Sequence, residues 1–443
     1  MDPTDSYRHV IRVAGLSNSA VFGTDGVCVF NGNAVGHELK AFRKVIDTAL
    51  RKAKGGNRKP DAFIEGETVY APQLKEQGRI IHERMAALAV SRGGTAHVAY
   101  VSDESGSNDV FLKSWNGREW STPVAVARTD ADEYAPSLAV LGDDELLVAY
   151  CSNAKGRRYQ VHTVLVAGGA LSKPKQASRS KDDAMAPSLA WDGKHAWLAW
   201  YEWRKMGDLS RDREVFLSRD RGSGWSRPLQ VSPKSVSAYE DHADPVVCPD
   251  GKGGAWVAWA WDYHGVLPSK PPVDENSIFV RHVDRRMKQG NPLAAGFRGE
   301  GCARDYAPTL VVTPDGVPWT AWDNSHKASA GYSAKGIFVN RLSGKDFPIQ
   351  FEVAASAGPV CSPRLLVDPK GEVHLLWAQS SAEGWELWLR EIGAKQPGAA
   401  RHLKIEGQSP RYPTGAFAPD GTLWVAYTDT AKKRWCVVVE KVK

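Results

Sequence analysis

The sequence predicts an all-β fold, a seven-bladed β-propeller, from two observations. One plan of short apolar strands and turns recurs seven times between residue 80 and the C-terminus, and residues 306–325, YAPTLVVTPDGVPWTAWDNS, show it most clearly. The aromatic residues that end the second strand of each repeat lie 50 to 63 residues apart, and they are Tyr100, Tyr150, Trp200, Trp259, Trp322, Trp377 and Tyr427. A period of this length with three or four strands per repeat is typical of propellers.

Each repeat contains the same elements in the same order. An apolar strand begins at an Ala-Pro pair or its equivalent, and an Asp-Gly type of turn leads to the second strand. A polar loop leads to a third strand, as in EVFLSR from Glu214, and several repeats add a fourth, as in WSRPLQVS from Trp225. Apolar residues alternate within these segments, as expected for strands. We therefore expect seven four-stranded blades in residues 81–443 and a single propeller domain over residues 1–443.

The N-terminal segment is expected to close the ring of blades. Residues 8–15, RHVIRVAG, resemble RHLKIEG at residues 401–407, where the sixth repeat needs its outer strand. The seventh repeat ends at Lys443 and has no fourth strand of its own. A strand from residues 8–15 in the last blade would complete that blade and cover its exposed sheet edge.

Residues 16–80 then form an insertion between the closing strand and the first blade. The segment SAVFGTDGVCVF, from Ser19, predicts a hairpin. Apolar residues near helical spacing predict a small helix at about residues 37–54. The polar side of that helix is basic, and we interpret it as a solvated surface.

Composition and charge exclude several classes of protein. A formal net charge of +6 over 443 residues indicates at most a preference for anionic partners. No apolar run approaches the roughly 20 residues needed to span a bilayer. The N-terminal MDPTDSYRHV is not a secretory signal, so we expect a cytoplasmic protein, or an exported one if Met1 replaced a signal. The six cysteines have no C-x-x-C spacing, which favours free thiols over a zinc site.

Propeller geometry predicts which segments share a face. The segments that lead into the innermost strands and the loops after the strand-ending aromatics meet at one face, and the Asp-Gly turns lie at the other. These loops are longest at residues 201–213, 260–276 and 323–335. Long loops on one side of a regular scaffold are where binding or chemistry usually lies. The same loops are the candidate surface for a protein partner.

Aligning the repeats places a mixed ring of polar residues at that face. It combines arginines, carboxylates, histidines and tyrosines, which can hold an anionic sugar and transfer protons. The candidate catalytic residues are His82, Arg84, Tyr134, His242, Arg304 and Tyr306. The candidate substrate-binding residues are Glu202, Asp262, Asp323, Arg364, Arg411 and Tyr412. Such residues also cap strands and pair with one another around propeller channels, so each candidate has a structural alternative.

Residues 218–225, SRDRGSGW, match the S-x-D-x-G-x-x-W pattern of an Asp box between the third and fourth strands of a repeat. With the repeats from about residue 80 onward, this motif resembles the sialidase-like, or BNR-repeat, propellers. In that superfamily the Asp box is a structural turn away from the active face. The resemblance therefore implies that Ser218, Asp220, Gly222 and Trp225 are markers of the fold.

The resemblance implies a carbohydrate-active protein with two reaction classes open. Seven-bladed relatives of this superfamily include polysaccharide lyases and glycosidases that act on uronic-acid polymers. A lyase needs a cation at the uronate, a base and an acid, which Arg, His and Tyr provide. A glycosidase would use two carboxylates, and the candidates for them are Glu83, Glu133, Asp241, Asp244 and Asp305.

A non-catalytic glycan-binding or protein-interaction propeller is the alternative. Aromatic residues in the long loops can stack on sugar rings or anchor a partner, and these are Trp203, Trp261, Tyr263 and Tyr332. Nucleic acid is not expected as a partner, because no nucleic-acid motif accompanies the basic residues. No cofactor is predicted, and the segments YEDHAD from Tyr239 and WDYHG from Trp261 leave a structural calcium ion open.

Overall fold

A computed structural model of the chain provides the coordinates. It describes residues 19–22, 28–32, 83–154, 156, 158–206, 210–220, 222, 224–234, 240–265, 273–296, 304–325, 336–355, 359–393, 397–431 and 435–442. The chain divides into two compact units, residues 1–80 and residues 81–443. In the described residues, no helix is long and apolar enough to cross a membrane.

The first unit contains the expected hairpin. Strands β1 (Ser19–Phe22) and β2 (Cys28–Gly32) pair antiparallel, with Ser19 opposite Gly32. The closing strand at residues 8–15 and the helix at about residues 37–54 lie outside the described residues, and both stay predictions.

The second unit confirms the seven-bladed propeller, because it contains seven separate antiparallel sheets, one per sequence repeat. Blade 1 comprises β3 (Glu83–Val90), β4 (Ala96–Ser102), β5 (Asp109–Ser114) and β6 (Val124–Ala127). Blade 2 comprises β7 (Glu133–Gly142), β8 (Glu145–Ser152), β9 (Gln160–Ala167), β10 (Ala170–Leu171) and β11 (Lys175–Gln176). Blade 3 comprises β12 (Ala184–Trp191), β13 (Ala196–Met206), β14 (Ser210–Arg219) and β15 (Leu229–Gln230). Blade 4 comprises β16 (Glu240–Pro249), β17 (Ala255–Gly265), β18 (Val273–Val283) and β19 (Leu293–Ala294).

The remaining blades follow the same order. Blade 5 comprises β20 (Arg304–Val312), β21 (Pro318–Ser325), β22 (Gly336–Ser343) and β23 (Asp346–Ala355). Blade 6 comprises β24 (Val360–Val367), β25 (Val373–Ser381), β26 (Gly384–Glu391) and β27 (Arg401–His402). Blade 7 comprises β28 (Pro410–Phe417), β29 (Leu423–Asp429) and β30 (Cys436–Val442). The described part of blade 7 therefore has three strands where the other blades have four or more.

The first strands of the blades form a closed ring. Each contacts the first strand of the next blade, and β28 contacts β3 to complete the circle. Seven apolar clusters fill the seven interfaces between neighbouring blades. Removal of this apolar surface from water is the main source of stability for such a fold.

Six of the seven aromatics that set the sequence period belong to these clusters, and the seventh, Tyr100, is also buried. Trp200, Trp259, Trp322 and Tyr427 are fully buried. In six blades the aromatic stacks on a ring from the third strand, as Trp200 does on Phe216 with centroids 6.4 Å apart. The repeated aromatic is therefore a packing residue, as its period implies.

Each inner strand contains a bulge at the same place. Pairing with the second strand shifts there, and one residue adopts a left-handed backbone with φ between 47° and 56°. The seven residues are Met85, Ala135, Ala186, Asp244, Ala307, Ser362 and Tyr412. A bulge redirects side chains, and a left-handed residue other than glycine costs about 1–3 kcal/mol. Only blades 4 and 7 place an ionisable or aromatic side chain, Asp244 or Tyr412, at this strained position.

Blades 3 and 4 carry longer hairpins than the sequence indicated. Residues 201–213 and 260–276 were expected to be loops, yet pairing of β13 with β14 continues to Met206 and Ser210. Pairing of β17 with β18 likewise continues to Gly265 and Val273. The polar composition of these segments suggested loops, but cross-strand pairs such as Trp203 with Arg213 continue the ladder.

Candidate functional site

The candidate site lies at the upper face, defined as the face where the inner strands begin and the second strands end. Strand pairing brings these ends together, as Asp241 lies opposite Asp262 and Arg411 opposite Thr428. Six charged residues from blades 3 to 7 are linked electrostatically here. We call them the ring cluster, and they are Arg213, Asp241, Asp244, Asp323, Arg364 and Arg411.

Arg213 and Asp241 form the best-defined ion pair of the ring cluster. An Nη2 to Oδ2 distance of 2.9 Å joins the two side chains, and the Arg213 backbone N–H donates to Asp241 Oδ1 at 2.7 Å. The guanidinium also lies over the rings of Tyr201 and Trp203, at 5.6 and 5.4 Å from their centroids. Burial disfavours the charge, but Asp241 outweighs it and raises the pKa of Arg213 further. Arg213 is therefore a fixed cation.

Asp244 is a carboxyl held toward its neutral form. Burial raises its pKa, with Arg213 and Arg364 opposing the shift and Asp241 adding to it. The bulge of β16 holds Asp244 in the left-handed conformation, with φ of 50°. A carboxyl with a raised pKa beside an ion pair is suited to donate a proton.

Arg364 brings charges from three blades together. Burial lowers its pKa, while Asp323 of blade 5 and Asp244 of blade 4 oppose that shift. Asp323 Oδ2 also accepts a hydrogen bond from the Ser362 backbone N–H at 3.3 Å. Arg364 therefore interacts electrostatically with carboxyl groups of blades 4 and 5.

Arg411 lies between aromatic rings at the edge of the ring cluster. Its guanidinium is 4.5 Å from the centroid of Trp385 and 5.4 Å from that of Tyr412. Tyr412 is 41% exposed although its backbone is strained. Cys361 is a free thiol nearby, and burial raises its pKa, with Asp323 adding to the shift and Arg411 opposing it. The arrangement offers an aromatic surface beside a cation.

A second polar group lies on blades 1 and 2. Arg84 donates from Nη2 to Asn108 Oδ1, and Asn108 Nδ2 donates to Tyr134 Oη at 2.6 Å. Asn108 Nδ2 also donates to Asp132 Oδ1 at 2.6 Å. Asn108 therefore joins the two candidates Arg84 and Tyr134, which stand 50 residues apart in sequence.

His242 and Glu202 are buried inside their blades. Trp259 Nε1 donates to His242 Nδ1 at 3.0 Å, which places the neutral imidazole proton on Nε2. Burial, with Arg281 and Arg213, lowers the pKa of His242 to about 3, so the ring is neutral at physiological pH. Glu202 accepts from Trp200 Nε1 at 3.0 Å and from Arg204 Nη2 at 2.9 Å. Their contacts in this structure support the strands.

The other sequence candidates divide into placed and undescribed residues. Asp262 is half-buried on β17, opposite Asp241. Arg304 and Tyr306 lie at the start of β20, and their side chains are outside what the structure describes, as is all of His82. Among the residues that the sequence did not single out are Arg213, Asn108 and Trp385. All three lie at the start of third strands or just before them, and those ends reach the same face.

Metal ligands are not gathered in the described part of the chain. No group of three or more His, Cys, Asp or Glu side chains there is arranged to hold a metal ion. The structural calcium ion left open by the sequence stays a prediction.

The turn at Ser218 lies at the opposite, lower face. Ser218 Oγ donates to the Ser226 carbonyl at 2.8 Å, and the Gly222 N–H donates to Asp220 Oδ1 at 2.9 Å. Trp225 packs toward blade 2, where its Nε1 donates to Thr163 Oγ1 at 3.0 Å. These contacts stabilise a turn and an interface between blades, remote from the ring cluster.

Comparisons with known proteins identify the architecture. No protein-family model matches the sequence, and no curated protein matches it. Among solved structures, an ulvan lyase described as a new family of polysaccharide lyase has a TM-score of 0.56 at 10% identity, over 82% of this chain and 94% of that one. A prolyl endopeptidase has a TM-score of 0.54 at 15% identity, over 81% of this chain and 47% of that one.

A protein of unknown function from Dyadobacter fermentans is also similar, with a TM-score of 0.50 at 14% identity, over 71% of this chain and 96% of that one. The present chain thus spans about half the length of the prolyl endopeptidase and nearly all of the other two. At identities of 10 to 15%, these likenesses establish the shared propeller fold.

Proposed function

We propose that the protein binds an acidic glycan at the ring cluster and cleaves a glycosidic bond in it. The observation that carries the proposal is the convergence of three arginines and three carboxyls from five blades at one face. Arginine guanidinium groups recognise carboxylates and sulfates through paired hydrogen bonds. An anionic sugar is therefore the ligand whose chemistry matches the site.

Unused hydrogen-bond donors support a ligand at this face. Among the described residues of the ring cluster, the buried Nε atoms of Arg213 and Arg411 have no hydrogen-bond partner. Buried donors normally find an acceptor. An anionic group bound at the ring cluster would supply acceptors for such donors.

Hydrolysis is the reaction that Asp244 favours. Its raised pKa favours the protonated form, which a general acid for the leaving oxygen requires. Asp241, paired with Arg213, would serve as the second carboxyl group. Glycosidases use two carboxyl groups, one as the general acid and the other as the base or nucleophile.

Elimination is the second candidate reaction, and the contact of Arg84 and Tyr134 with Asn108 favours it. A lyase needs a cation at the uronate and a group that takes the proton beside it. Arg84 would fill the first role and Tyr134 the second. The ulvan lyase with the same architecture is consistent with this chemistry on a propeller.

Membership of the sialidase-like superfamily is part of the proposal. The S-x-D-x-G-x-x-W segment and its hydrogen-bonded turn support it. Membership of this superfamily would explain why the turn at residues 218–225 has a structural role, while the side chains at the upper face differ between blades.

A substrate screen tests the proposal. Purified protein is incubated with polygalacturonate, alginate and hyaluronan, and with neutral dextran and arabinan. Ultraviolet absorbance of unsaturated uronates and the formation of reducing ends are followed together. Reducing ends without absorbance from an acidic polymer would establish hydrolysis, and both signals together would establish elimination.

A matched pair of variants assigns the activity to the ring cluster. Arg364→Gln and Lys370→Gln each remove one positive charge, but Lys370 is exposed in a turn at the lower face. Activity should fall in the first variant and persist in the second. Binding of an acidic polymer without either product would instead identify a glycan-binding propeller, and cleavage of only neutral polymers would overturn the acidic substrate.

A further inference from the structure

The lower face of blades 3 and 4 has a concentration of cations that the proposed activity does not use. Two depressions lie side by side there, with volumes of about 470 and 360 Å³. Arg285 and Arg286 line both depressions. The first also contains Lys194 and Arg219, and the second contains Lys252. We call these five cations the basic patch.

The carboxylates within the depressions are engaged by backbone amides. Asp192 Oδ1 accepts from the N–H groups of Lys194 and His195 at 2.7 and 2.6 Å. Asp250 Oδ1 accepts from those of Lys252 and Gly254 at 2.7 and 2.8 Å.

The remaining carboxylate contacts follow the same pattern. Asp284 Oδ1 accepts two turn amides, both at 2.8 Å. Asp192 Oδ2 accepts a hydrogen bond from Trp197 Nε1 at 2.9 Å. Asp250 Oδ2 lies 2.7 Å from His282 Nε2. These contacts hold all three carboxylates within the fold and direct them toward their own turns.

In the described part of the chain, the cations have no ion pair of this kind, although Arg286 is close enough to Asp284 to lower the pKa of that carboxyl group. Within the described ranges, no ion pair shorter than 4.0 Å joins a carboxylate to any residue of the basic patch. Arg219 is fixed in place, because its guanidinium lies 5.2 Å from the centroid of Trp197 and donates to the Arg285 carbonyl at 2.7 Å. Its buried Nε has no hydrogen-bond partner. Lys194, Lys252, Arg285 and Arg286 are exposed.

The basic patch is specific to two blades. The matching turn of blade 2 exposes three acidic residues, Asp143, Asp144 and Glu145. The lower face is therefore polarised, although the net charge of the whole chain is modest. Two neighbouring depressions with cations on a shared wall match successive anionic groups on a linear polymer.

We infer that the basic patch is a second glycan-binding site, which holds two neighbouring sulfated or carboxylated sugars of an acidic polysaccharide. The site is independent of cleavage at the upper face. It would hold a distant part of a long polymer and raise the local concentration of chain near the protein.

Polysaccharide fits the basic patch better than nucleic acid does. Single-stranded nucleic acid is bound largely by stacking of its bases on aromatic rings. Apart from His195 and His282, each of which lies beside a carboxylate, no residue lining the depressions is aromatic. Trp197, under Arg219, is fully buried.

Calorimetric titration with three polymers tests the inference. Dextran sulfate, neutral dextran and an oligodeoxythymidine are titrated into the full chain and into Arg285→Glu/Arg286→Glu. The control, Lys173→Glu/Lys175→Glu, changes the net charge equally at exposed positions of blade 2. A second pair, Lys194→Glu/Lys252→Glu, tests the other exposed cations.

The wild-type chain should bind dextran sulfate and not neutral dextran. Both basic-patch variants should bind dextran sulfate at least about tenfold more weakly, and the slope of log affinity against log salt should fall by about 2. The blade 2 control should bind like the wild type, and Arg285→Glu/Arg286→Glu should weaken binding as much in an Arg364→Gln background, which separates this site from the proposed catalytic one. Equal loss in the blade 2 control would overturn the inference. So would tighter binding of the oligodeoxythymidine.

Discussion

The two faces of the propeller use carboxylates in opposite ways. At the lower face, turn carboxylates such as Asp250 and Asp368 accept backbone N–H groups within their own turns. At the upper face, Asp241, Asp244 and Asp323 meet arginines from other strands and blades. The first arrangement recurs from blade to blade and stabilises turns. The second differs in every blade, which is what a single asymmetric ligand requires.

The pKa shifts follow the same division. Burial opposes ionisation of Asp192, Asp250 and Asp368, but hydrogen bonds outweigh it and lower their pKa values. Burial dominates at Asp244 and at Glu133, and it raises the pKa of both. Ionisation of the lower-face carboxyl groups therefore contributes stability, whereas ionisation of Asp244 and Glu133 at the upper face costs stability. We expect the upper face to be the functional one for that reason.

The largest expected effect is on catalysis. Asp244→Asn should lower kcat/KM on an acidic polysaccharide by about 10²–10⁴-fold, because the proton donor is lost. Its free energy of unfolding should be unchanged or higher, since ionisation of this buried carboxyl group costs stability and the amide cannot ionise. Asp192→Asn at the lower face is the control, and it should leave kcat/KM per folded molecule unchanged. Steady-state kinetics and urea unfolding measure the two quantities, and full activity in Asp244→Asn would remove Asp244 from the mechanism.

A lower-face substitution should affect stability alone. A methyl group at Gly254 would lie 2.6 Å from both the Val283 carbonyl oxygen and Asp250 Oδ2. Gly254→Ala should therefore lower the free energy of unfolding by about 3 kcal/mol. Gly142→Ala is the matched control, because its nearest neighbour would be Glu145 Cβ at 3.9 Å. Equal urea midpoints for the two variants would contradict the expected steric clash of a methyl group at Gly254.

The two faces should respond oppositely to pH. The depressed pKa values of Asp192, Asp250 and Asp368 contribute stability above about pH 4, and that stability is lost as pH falls further. The raised pKa of Asp244 gives the reverse, because stability falls as pH rises from about 4 through its folded pKa. Unfolding free energies between acidic and neutral pH measure both effects. Asp250→Asn should reduce the loss of unfolding free energy at acidic pH, and Asp244→Asn should reduce the loss that occurs as pH rises. Identical pH profiles for the two variants would contradict the difference between the faces.

The smallest effect concerns the strained tyrosine. Tyr412 has φ of 54°, a conformation that glycine adopts without strain. Tyr412→Gly should raise the free energy of unfolding by up to about 1 kcal/mol and weaken acidic-glycan binding by about 3- to 10-fold. Tyr412→Phe keeps the ring and should bind like the wild type. Weaker binding in both variants would assign the role to the hydroxyl group instead of the ring.

The sequence predicts the fold well because the fold repeats. The aromatics from Tyr100 to Tyr427 mark the blade interfaces, and the same residues are buried in the structure. The proline in six of the seven repeats marks the inner strands, although the left-handed residue before it carries no sequence signal of its own.

The candidate site was less accessible to sequence analysis, because distant blades assemble it. Position in the repeat found Asp241, Asp244, Asp323, Arg364 and Arg411. It did not find Arg213, whose role depends on an extended hairpin that polar composition concealed. It also could not show that His242 accepts a hydrogen bond from Trp259 within its blade. Contacts between side chains, which no spacing encodes, decide these cases.

The measurement that tests the division between faces most directly is a calorimetric titration with tetragalacturonate, a short anionic glycan. It compares the wild type with Arg364→Gln at the upper face and Arg285→Glu/Arg286→Glu at the lower face. At the ring cluster, the short glycan should bind the wild type and the lower-face variant with similar affinity, and Arg364→Gln should bind at least about 30-fold more weakly there, since a buried charge partner is lost. Unchanged binding in Arg364→Gln, or loss only in the lower-face variant, would contradict the assignment of the acidic-glycan site to the ring cluster.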